Sequence, residues 1–458
     1  MKKIFPFVIA GMLFCSCGLY KNYERPSDII TDGIYGEMQT AGDNSLGDLG
    51  WRDIFTDTNL QALIERGLKQ NSDMKNAELR IKEADYALQC AKLAYIPSFY
   101  FNPSGSISRP WDPYDRSSFT ASKSYALPVT MSWQIGSIGS LRNTKKKAEV
   151  SREQLRNAKQ AIQAQLVANI AAMYYNLCMF DEQLALTRQT EQNWGKYLQM
   201  QKQLMDAGQS NTAAVASIEA TYYSISTSIV SLEDNIYSLE IALSTLIGET
   251  FSHVQRSSLA SFKTPGVIGT GLPISILDRR PDVRNAELTL ASAFYDKNIA
   301  RSNFFPQISI SATGQYTNSA GSVINPGVMI GNAIANLAQP LFQNGRIRAQ
   351  YKISKAELEI ATNDFKQAVL AAGNEVQDAM DDIHVANDMQ VLIDKQVEAL
   401  NRALGATQQL YLNTGTNYLN VITAQNSLLS AQMSQIGNRM EAINATINLY
   451  QALGGGAE

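Results

Sequence analysis

The sequence predicts a mainly α-helical protein with a small β part, in which one unit of helix, hairpin, long helix and helix occurs twice. Three observations support this fold class: a segment that repeats at a constant shift, short stretches of alternating apolar residues, and two very long stretches without proline. In a repeated sequence, each copy supports the assignment of the elements in the other. The 458 residues are therefore predicted to form two copies of one unit.

The repeat is clearest between QNSDMKNAEL at 70–79 and RRPDVRNAEL at 279–288. Asp73 and Asp282 lie 209 positions apart, and the same shift aligns ten identical pairs without a gap. Pro281 suits the first position of a helix. A carboxylate in a first turn meets unpaired N–H groups and the positive end of the helix dipole. The motif therefore predicts two helix starts, and its role is structural.

Within each copy the apolar period changes from helical to alternating. Copy one predicts a helix over about 57–95, which stops near Pro97 because the residue before proline disfavours the α conformation. LPVTMSWQI at 127–135 then alternates strictly, which is typical of a strand. Copy two alternates likewise over 306–317, whereas its partner around 328–341 alternates poorly. Each copy predicts one hairpin, so the chain predicts four strands.

Helical periodicity then returns and persists. Residues 141–206 and 347–413 lack proline and predict two long helices, the first about 100 Å long at 1.5 Å per residue. Return helices are predicted over about 212–247 and up to residue 453. Together with the first helix of its copy, each return helix would run antiparallel to the long one and form a rod with strands at one end.

Short breaks join each long helix to its return helix. Gly208 and Gly415 lie in these breaks and suit the left-handed position after a helix end. Ser210 or Thr212 suits the N-cap of the first return helix, and Gly248 closes it.

The N-terminus resembles a bacterial lipoprotein signal. Lys2 and Lys3 precede an apolar run that ends in FCSCG. Cys17 follows a small residue and is predicted to be lipidated as the first mature residue, whereas Cys15 follows Phe14, a poor cleavage neighbour. The alternative is an ordinary secretory signal with two incidental cysteines.

The remaining cysteines, Cys90 and Cys178, are predicted to be buried helix residues rather than a disulfide. The predicted organisation is a signal peptide at 1–16, an extended tether at 17–50, repeat one at 51–248, a connector at 249–278, repeat two at 279–454 and a frayed tail at 455–458.

Composition and motifs argue against other function classes. The net charge is −3 with both signs interspersed, so no nucleic-acid partner is expected. After the signal, no stretch reaches the length of a transmembrane helix. His253 and His384 are the only histidines, and DAMDDIH at 378–384 fits a solvated helix face or lumen lining better than a metal site. Nucleotide-binding and hydrolase motifs are absent, so no enzyme, metal or cofactor is expected beyond the covalent lipid on Cys17.

Four strands with one apolar face cannot close into a barrel. An open sheet would expose two edges and the apolar face. Strands of about ten residues with an apolar outer face suit an outer-membrane barrel, and three copies would supply twelve strands. A ring of copies would also bury the apolar stripes of the helices and enclose a polar lumen.

GLPISILDRRPDVRNAEL at 271–288 resembles the signature of the outer-membrane efflux protein family, of the TolC and OprM type and its NodT-like lipoprotein branch. AQPLFQNGRIRAQ at 338–350 supports the resemblance. It implies a homotrimer, with a 12-stranded outer-membrane β-barrel of four strands per chain capping a trimeric α-barrel across the periplasm. It also implies a periplasmic adaptor (a membrane fusion protein), an inner-membrane RND-type pump, and contact with outer-membrane lipid.

In this family the helix breaks form the periplasmic mouth, where the adaptor docks. The resemblance carries that role to two tips in this chain: Gly208, Gln209 and Ser210, and Gly415, Thr416 and Asn417. Asn417 and Tyr418 are the candidate gate. The second tip has no Asp or Arg, which argues against a gate closed by charge.

The function expected is therefore an outer-membrane exit duct that passively conducts small molecules from an inner-membrane pump. The alternatives are the outer-membrane channel of a type I protein secretion system and, less well supported, a non-channel periplasmic coiled-coil lipoprotein. The lipid anchor favours efflux over protein secretion.

Overall fold

The computed structural model describes residues 20–26, 50–108, 122–137, 139–262, 279–318, 328–414 and 419–455. The chain divides into two compact units, each built from three separate chain segments. The unit that contains the strands, here the sheet unit, comprises Met1–Asp28, Arg80–Arg156 and Asn285–Phe365. The other, here the helical unit, comprises Ile29–Leu79, Asn157–Arg284 and Lys366–Glu458.

The described elements follow the predicted order in both copies. Copy one contains α1 (Trp51–Ile54), α2 (Thr58–Gln70), α3 (Ser72–Leu93), β1 (Ser98–Phe101), β2 (Ser104–Ser108), β3 (Ser122–Ser137), α4 (Ser140–Asp206) and α5 (Thr212–Ile247). A short 3-10 turn follows at Leu259–Ser261. Copy two contains α6 (Pro281–Ser302), β4 (Gln307–Thr317), β5 (Val328–Ala338), α7 (Arg346–Thr414) and α8 (Leu419–Ala452).

The predicted duplication is confirmed in the boundaries of the elements. Helices α3 and α6 each have 22 residues, and both their first and last residues lie 209 positions apart. Strands β1 and β4 also begin 209 positions apart. Pro281 begins α6, and Asp73 and Asp282 lie in the first turns of α3 and α6, as their pattern predicts.

The first helix was predicted to run without a break over about 57–95. In the structure it is interrupted at Asn71, which separates α2 from α3. The side chain of Asn71 accepts hydrogen bonds from the backbone N–H groups of Asp73 (2.8 Å) and Met74 (3.0 Å), and so caps a new helix. Apolar residues recur on both sides of the break. The periodicity therefore did not reveal it.

The strands form one antiparallel sheet in the order β1-β3-β4-β5, with β2 also paired to β3. β1 and β2 share one register on β3, interrupted only at Asn102 and Pro103. Proline has no N–H for the ladder, which splits one predicted strand into two. The sheet thus has the four strand positions expected.

A bulge interrupts β3 between Gln134 and Gly136. The predicted alternation therefore holds from Leu127 to Gln134, and Ile135 is the extra residue, without a directly paired partner on β4. The bulge inserts an extra residue and shifts the following register, so that Gly136 pairs with Ile308.

The largest core lies in the helical unit. Buried side chains from α1, α2, α4, α5 and α8 meet there, including Phe55, Tyr174, Leu177, Leu243 and Tyr450. No described helix is long and apolar enough to cross a membrane.

Cys90 and Cys178 are both free thiols. Cys178 is buried, as predicted, but Cys90 is exposed, so that prediction is wrong. Residues two positions apart on a helix do not share a face, and Cys90 follows the buried Leu88 by two.

Candidate functional site: a two-faced sheet, paired joints and a helix tip

The sheet presents two chemically different faces. Directly paired residues of antiparallel strands point to the same side, so the register assigns each residue to a face. One face, here the apolar face, combines aliphatic, aromatic and small residues, among them Phe99, Phe101, Val129, Met131, Trp133, Ile310, Ala312, Met329, Ala333 and Leu337. Met329 is 84% exposed and Leu337 is 67% exposed. Among the residues that the structure describes, this face is therefore an apolar surface with several largely exposed side chains.

The opposite face, here the polar face, is rich in hydroxyl and amide side chains. Its cross-strand contacts are hydrogen bonds: Ser106 to Ser124 at 2.7 Å and Thr130 to Thr313 at 3.2 Å. The largest apolar exceptions lie on β5, where Ile330 and Ile334 share this face and are exposed. They explain why β5 alternates poorly in the sequence.

Residues 20–26 lie along helices of the same unit. Tyr20 packs so closely on Gly139 that a Cβ there would have no room, and Asn22 accepts a hydrogen bond from Arg142 at 3.1 Å. Farther along, Tyr23 meets the Phe294 ring edge-on at 5.9 Å, and Arg25 pairs with Glu287. This segment therefore starts beside the end of β3 and runs away from the sheet along α6.

A joint in the helical unit holds the start of α3 against the end of α5. The Asn71 amide that caps α3 also donates to the Leu246 carbonyl at 2.8 Å. Gly248 ends α5 with a φ of 88°. A Cβ on Gly248 would lie 3.0 Å from the Gln70 carbonyl oxygen. Here glycine is required both by its backbone conformation and by the close approach of the two chain segments.

The second repeat forms the equivalent joint with other side chains. Arg280 occupies the position of Asn71 and donates to the Ala452 carbonyl at the end of α8, at 2.8 Å. Its guanidinium also pairs with Asp282 at 2.7 Å and with Glu375. Gly454 has a φ of 95°, and a Cβ there would lie 3.2 Å from the Arg279 carbonyl oxygen. The side chain of Arg280 is only 5% exposed.

The first predicted tip forms a tight helix cap. Gly208 has a φ of 75°, and the Gln209 N–H donates to the Leu204 carbonyl at 2.8 Å, which is the Schellman pattern. The predicted N-cap residues Ser210 and Thr212 are both wrong. Asn211 caps α5 instead and accepts from the Ala214 N–H at 2.9 Å. Asparagine is about as good an N-cap residue as serine, so residue preference alone did not distinguish Asn211 from its neighbour Ser210.

Near this tip, polar side chains connect α4 with α7. Gln201 is buried and donates to the Ser210 hydroxyl, and Tyr411 donates to Gln201 at 3.4 Å. Gln408 donates to the Tyr197 hydroxyl at 2.6 Å. Ser210 is therefore held by a hydrogen bond while Gly208 and Gln209 are exposed. The second tip and gate residues, Gly415, Thr416, Asn417 and Tyr418, lie outside the described residues, as does Cys17.

Two arginine clusters were missed from the sequence. Arg280 was visible inside the repeated motif, and its replacement of Asn71 between otherwise matching copies was a usable signal. Arg256 pairs with Asp181 and with Glu240 at 2.6 Å and so fastens the segment after α5 to the helices. No pattern in the sequence predicts that Arg256, Asp181 and Glu240 lie together. Among the described residues, no group of three or more His, Cys, Asp or Glu side chains could hold a metal ion.

Comparison with known proteins gives a consistent result. The family described as outer membrane efflux protein matches residues 63–249 and 272–455. The cation efflux system protein CusC of Escherichia coli K12 is 27% identical over 99% of both chains. The probable outer membrane lipoprotein SilC of Salmonella typhimurium is 24% identical over 98% of this chain and 97% of its own. The pyoverdine export outer membrane protein OpmQ of Pseudomonas aeruginosa is 26% identical over 91% and 89%.

Solved structures share the fold. A CusC structure superimposes with a TM-score of 0.84 at 24% identity, over 96% of this chain and all of that one. The open state of the Neisseria gonorrhoeae MtrE outer membrane channel gives 0.84 at 22% identity, over 96% and 98%.

Proposed function

Because this chain belongs to the outer membrane efflux protein family, we propose that three copies assemble into the exit duct of a tripartite efflux system. The family establishes the outer-membrane location and the role in efflux. The proposal adds the homotrimer, a periplasmic adaptor, an inner-membrane pump of the RND class and passive conduction of small molecules.

The observation that carries the proposal is the two-faced sheet. Among the described strands, β1 with β2 and β5 lie at the edges, each paired on one side. Unpaired edges and an uncovered apolar face are unfavourable in water, but both are satisfied when sheets join edge to edge within a lipid bilayer. Three sheets of four positions give twelve strands, an even number sufficient for an outer-membrane barrel. The polar face then lines the lumen.

Neighbouring positions on β5 provide the experiment. Ala333 lies on the apolar face and Asn332 on the polar face. We expect Ala333→Arg to place a charge in lipid, at a cost of about 2–4 kcal/mol near the midplane for each of the three copies, and to abolish the trimer. We expect Asn332→Arg to preserve the trimer and to change the conductance.

Light scattering of the purified mature protein in detergent gives the assembly state, and planar-bilayer recording gives the conductance. A stable wild-type monomer with native strand content would refute the trimer. Equal tolerance of both arginines would refute the assignment of the faces.

We assign adaptor docking to the two tips, Gly208, Gln209 and Ser210, and Gly415, Thr416 and Asn417, with Asn417 and Tyr418 as the candidate gate. The exposed Gly208 and Gln209 beside the fixed Ser210 support this for the first tip. The alternative is that both glycines are only helix caps. Replacing Gly415 with leucine and measuring trimer level and drug susceptibility together decides between them: a normal trimer with undiminished efflux would contradict docking.

The lipid anchor at Cys17 is supported by the segment that follows it. Tyr20 lies beside the end of β3, and three residues of extended chain span at most about 11 Å. An anchor at Cys17 would therefore start close to the sheet. Cys17→Ala should abolish labelling by a fatty acid analogue while Cys15→Ala retains it, and labelling that follows Cys15 would reverse the assignment.

The relatives also bear on cargo. CusC is named for cation efflux and OpmQ for pyoverdine export, so similar ducts serve chemically unlike cargo. We infer that selection belongs to the pump rather than to this chain. The predicted boundaries 1–16, 17–50, 51–248, 249–278, 279–454 and 455–458 remain our proposal, and the two family-matched segments support the division into repeats.

A further inference from the structure

Two tyrosines at equivalent positions of the repeat lie in different surroundings. Tyr86 on α3 and Tyr295 on α6 are 209 positions apart, the shift that also relates the two helices. Tyr295 is 8% exposed, whereas Tyr86 is 67% exposed. The same side chain is therefore covered in one repeat and uncovered in the other. Burying an aromatic ring is favourable, so the surface around Tyr86 is suited to a partner.

Helix α4 covers Tyr295 within the sheet unit. Lys146 of α4 and Tyr295 line the same groove. Lys147 pairs with Asp296, the residue after Tyr295, at 2.7 Å. The long helix of repeat one thus lies on the first helix of repeat two.

This contact continues to the end of the sheet. Asn298 donates to Asn143 at 3.4 Å, and Ser137 donates to Ser302 at 3.2 Å. None of these four residues is more than 5% exposed. Strands β3 and β4 then pair along their length. The contact of β3 and α4 with β4 and α6 is here the internal seam.

The corresponding elements of repeat two are largely uncovered. Every residue of β5 from Met329 to Ala338 is exposed, as is every residue of β1 and β2. After β5, Leu341 is 92% exposed and Phe342 is 84% exposed. On α7, Ile353 is 50% exposed. Repeat two therefore presents β5 and α7, and repeat one presents α3 and β1 with β2, as two open sides of the sheet unit.

A second constant shift relates the later elements of the two repeats. Helix α4 begins at Ser140 and α7 at Arg346, and 346 − 140 = 206. The same shift places Gly139, with a φ of 80°, on Gly345, with a φ of 76°. Together with the shift of 209 for the first helix and strand, it converts each contact of the internal seam into a contact between the two open sides. Within one sheet these sides lie at opposite edges, so such contacts require a second protomer.

We propose that β5 and α7 of one protomer bind α3, β1 and β2 of the next in the register of the internal seam, so that α7 covers Tyr86. The two shifts convert the Val129–Gly314 pair of β3 and β4 into Ala335 opposite Gly105 of the neighbouring protomer. This seam presupposes the homotrimer proposed above and fixes the register of its joints.

The faces of the strands agree with this register. Ala335 pairs with Ile310 on β4 and so lies on the apolar face. Gly105 pairs with Tyr125, four residues from Val129 along β3, and therefore lies on the apolar face as well. A register wrong by one residue would set apolar residues beside polar ones along the whole joint.

The chemistry of the open sides favours a second protomer over another partner. Where the internal seam has the ion pair of Lys147 and Asp296, the proposed seam has Ile353 and Ala87. Interfaces between permanently associated chains are more apolar than those of transient partners. A second protomer also brings the free strand edge that β5 needs, in the antiparallel direction that β3 and β4 show.

Disulfide cross-linking tests the register. Ala335→Cys with Gly105→Cys places two thiols on directly opposed residues, whose Cα atoms should lie about 4.5–5.5 Å apart, within reach of a disulfide. Within one protomer the same positions are three strand spacings apart, or about 14 Å, so they can cross-link only between protomers. The control is Ala335→Cys with Phe101→Cys, because Phe101 lies on the same face but about 13 Å along the strand from position 105. Both variants carry Cys90→Ser, since Cys90 is an exposed thiol.

Light scattering in detergent gives the assembly state of each purified full-length variant before oxidation. We expect oxidation to shift the Ala335→Cys, Gly105→Cys variant from monomer to covalent trimer on a denaturing gel and to leave the control as monomer. Trimers in which only the control cross-links, or neither variant does, would overturn the register and leave the exit duct standing. Variants that are monomeric before oxidation would overturn the trimer itself and the seam with it.

A photo-cross-linker tests the cover of Tyr86. Benzoylphenylalanine in place of Tyr86 keeps an aromatic ring at this position, and irradiation of the assembled protein links it to whatever lies nearby. We expect mass spectrometry to find the link on α7 of another protomer, within residues 346–365. A link to any other element, or none, would overturn the assignment of α7 as the cover.

Discussion

In the first repeat a neutral amide, Asn71, holds the start of one helix to the end of another, whereas in the second repeat a guanidinium, Arg280, makes the same connection. Both donate to a carbonyl two residues before a left-handed glycine, Leu246 before Gly248 and Ala452 before Gly454. The backbone geometry is therefore preserved while the side-chain chemistry differs.

The difference teaches how a duplicated joint can diverge. Asn71 caps its helix directly through its side-chain oxygen. Arginine has no acceptor, so Arg280 cannot cap in that way. Asp282 and Glu375 instead balance the charge of the guanidinium, which also donates to a second carbonyl, that of Ala372, at 3.3 Å. The second joint thus depends on a buried charge with several partners. Removing Arg280 should therefore lower the free energy of unfolding more than removing Asn71.

Arg280→Ala is expected to have the largest effect. It leaves two carboxylates without their cation and the Ala452 carbonyl without its donor. Because Asp282 and Glu375 are each more than half exposed, we expect the lower part of the range for broken buried pairs, about 3 kcal/mol of unfolding free energy.

Asn71→Ala should cost about 1–2 kcal/mol, as for a lost N-cap. Chemical denaturation in detergent, followed by circular dichroism, measures both. Arg284→Ala, at an exposed position of α6, is the control and should change little. Equal losses at Arg280 and Asn71 would mean that the charges add nothing to the joint.

The fold followed from patterns that each copy repeats, namely helix starts, period changes and glycine caps. The joint did not. Its contacts link positions 175 apart in the first repeat and 172 apart in the second, and no local pattern records such pairing. Asp282 shows the limit clearly: its place in a first turn was predictable, but its pairing with Arg280 depends on where Ala452 and Glu375 lie. The break at Asn71 was missed for a different reason, because apolar residues recur on both sides of it.

Two glycines with similar backbone conformations separate the effect of conformation from that of close packing. Gly248 and Gly208 both have positive φ, but a Cβ on Gly208 would meet nothing within 4 Å. Gly208→Ala should therefore cost only the left-handed strain, about 1 kcal/mol. Gly248→Ala adds the contact with the Gln70 carbonyl and should cost about 2 kcal/mol or more. Thermal unfolding of the two variants in parallel measures the difference. A larger loss of stability for Gly208→Ala than for Gly248→Ala would contradict this order and show that the joint at Gly248 has room for a Cβ.

The smallest expected effect is a difference in the pH dependence of stability between Asp282 and Asp73, the two aspartates of the repeated motif. Burial raises the pKa of Asp282, but the hydrogen bonds and charge of Arg280 and the Val283 N–H outweigh it and hold the pKa below its usual range near 4. The ionised form therefore stabilises the fold above about pH 4, and this stabilisation is lost as the pH falls through the lowered pKa.

Asp282→Asn should accordingly be less stable than the wild type at pH 7, and the gap should close as the pH falls toward 3. Asp73 makes no corresponding pair with residue 71, which is an asparagine, so Asp73→Asn should lose only the dipole interaction, a few tenths of a kcal/mol. Unfolding midpoints measured from pH 3 to 8 for the three proteins decide the matter. A gap at Asp282 that is the same at every pH would mean that its carboxylate acts by shape and hydrogen bonding alone, and the two joints would then differ less than their side chains suggest.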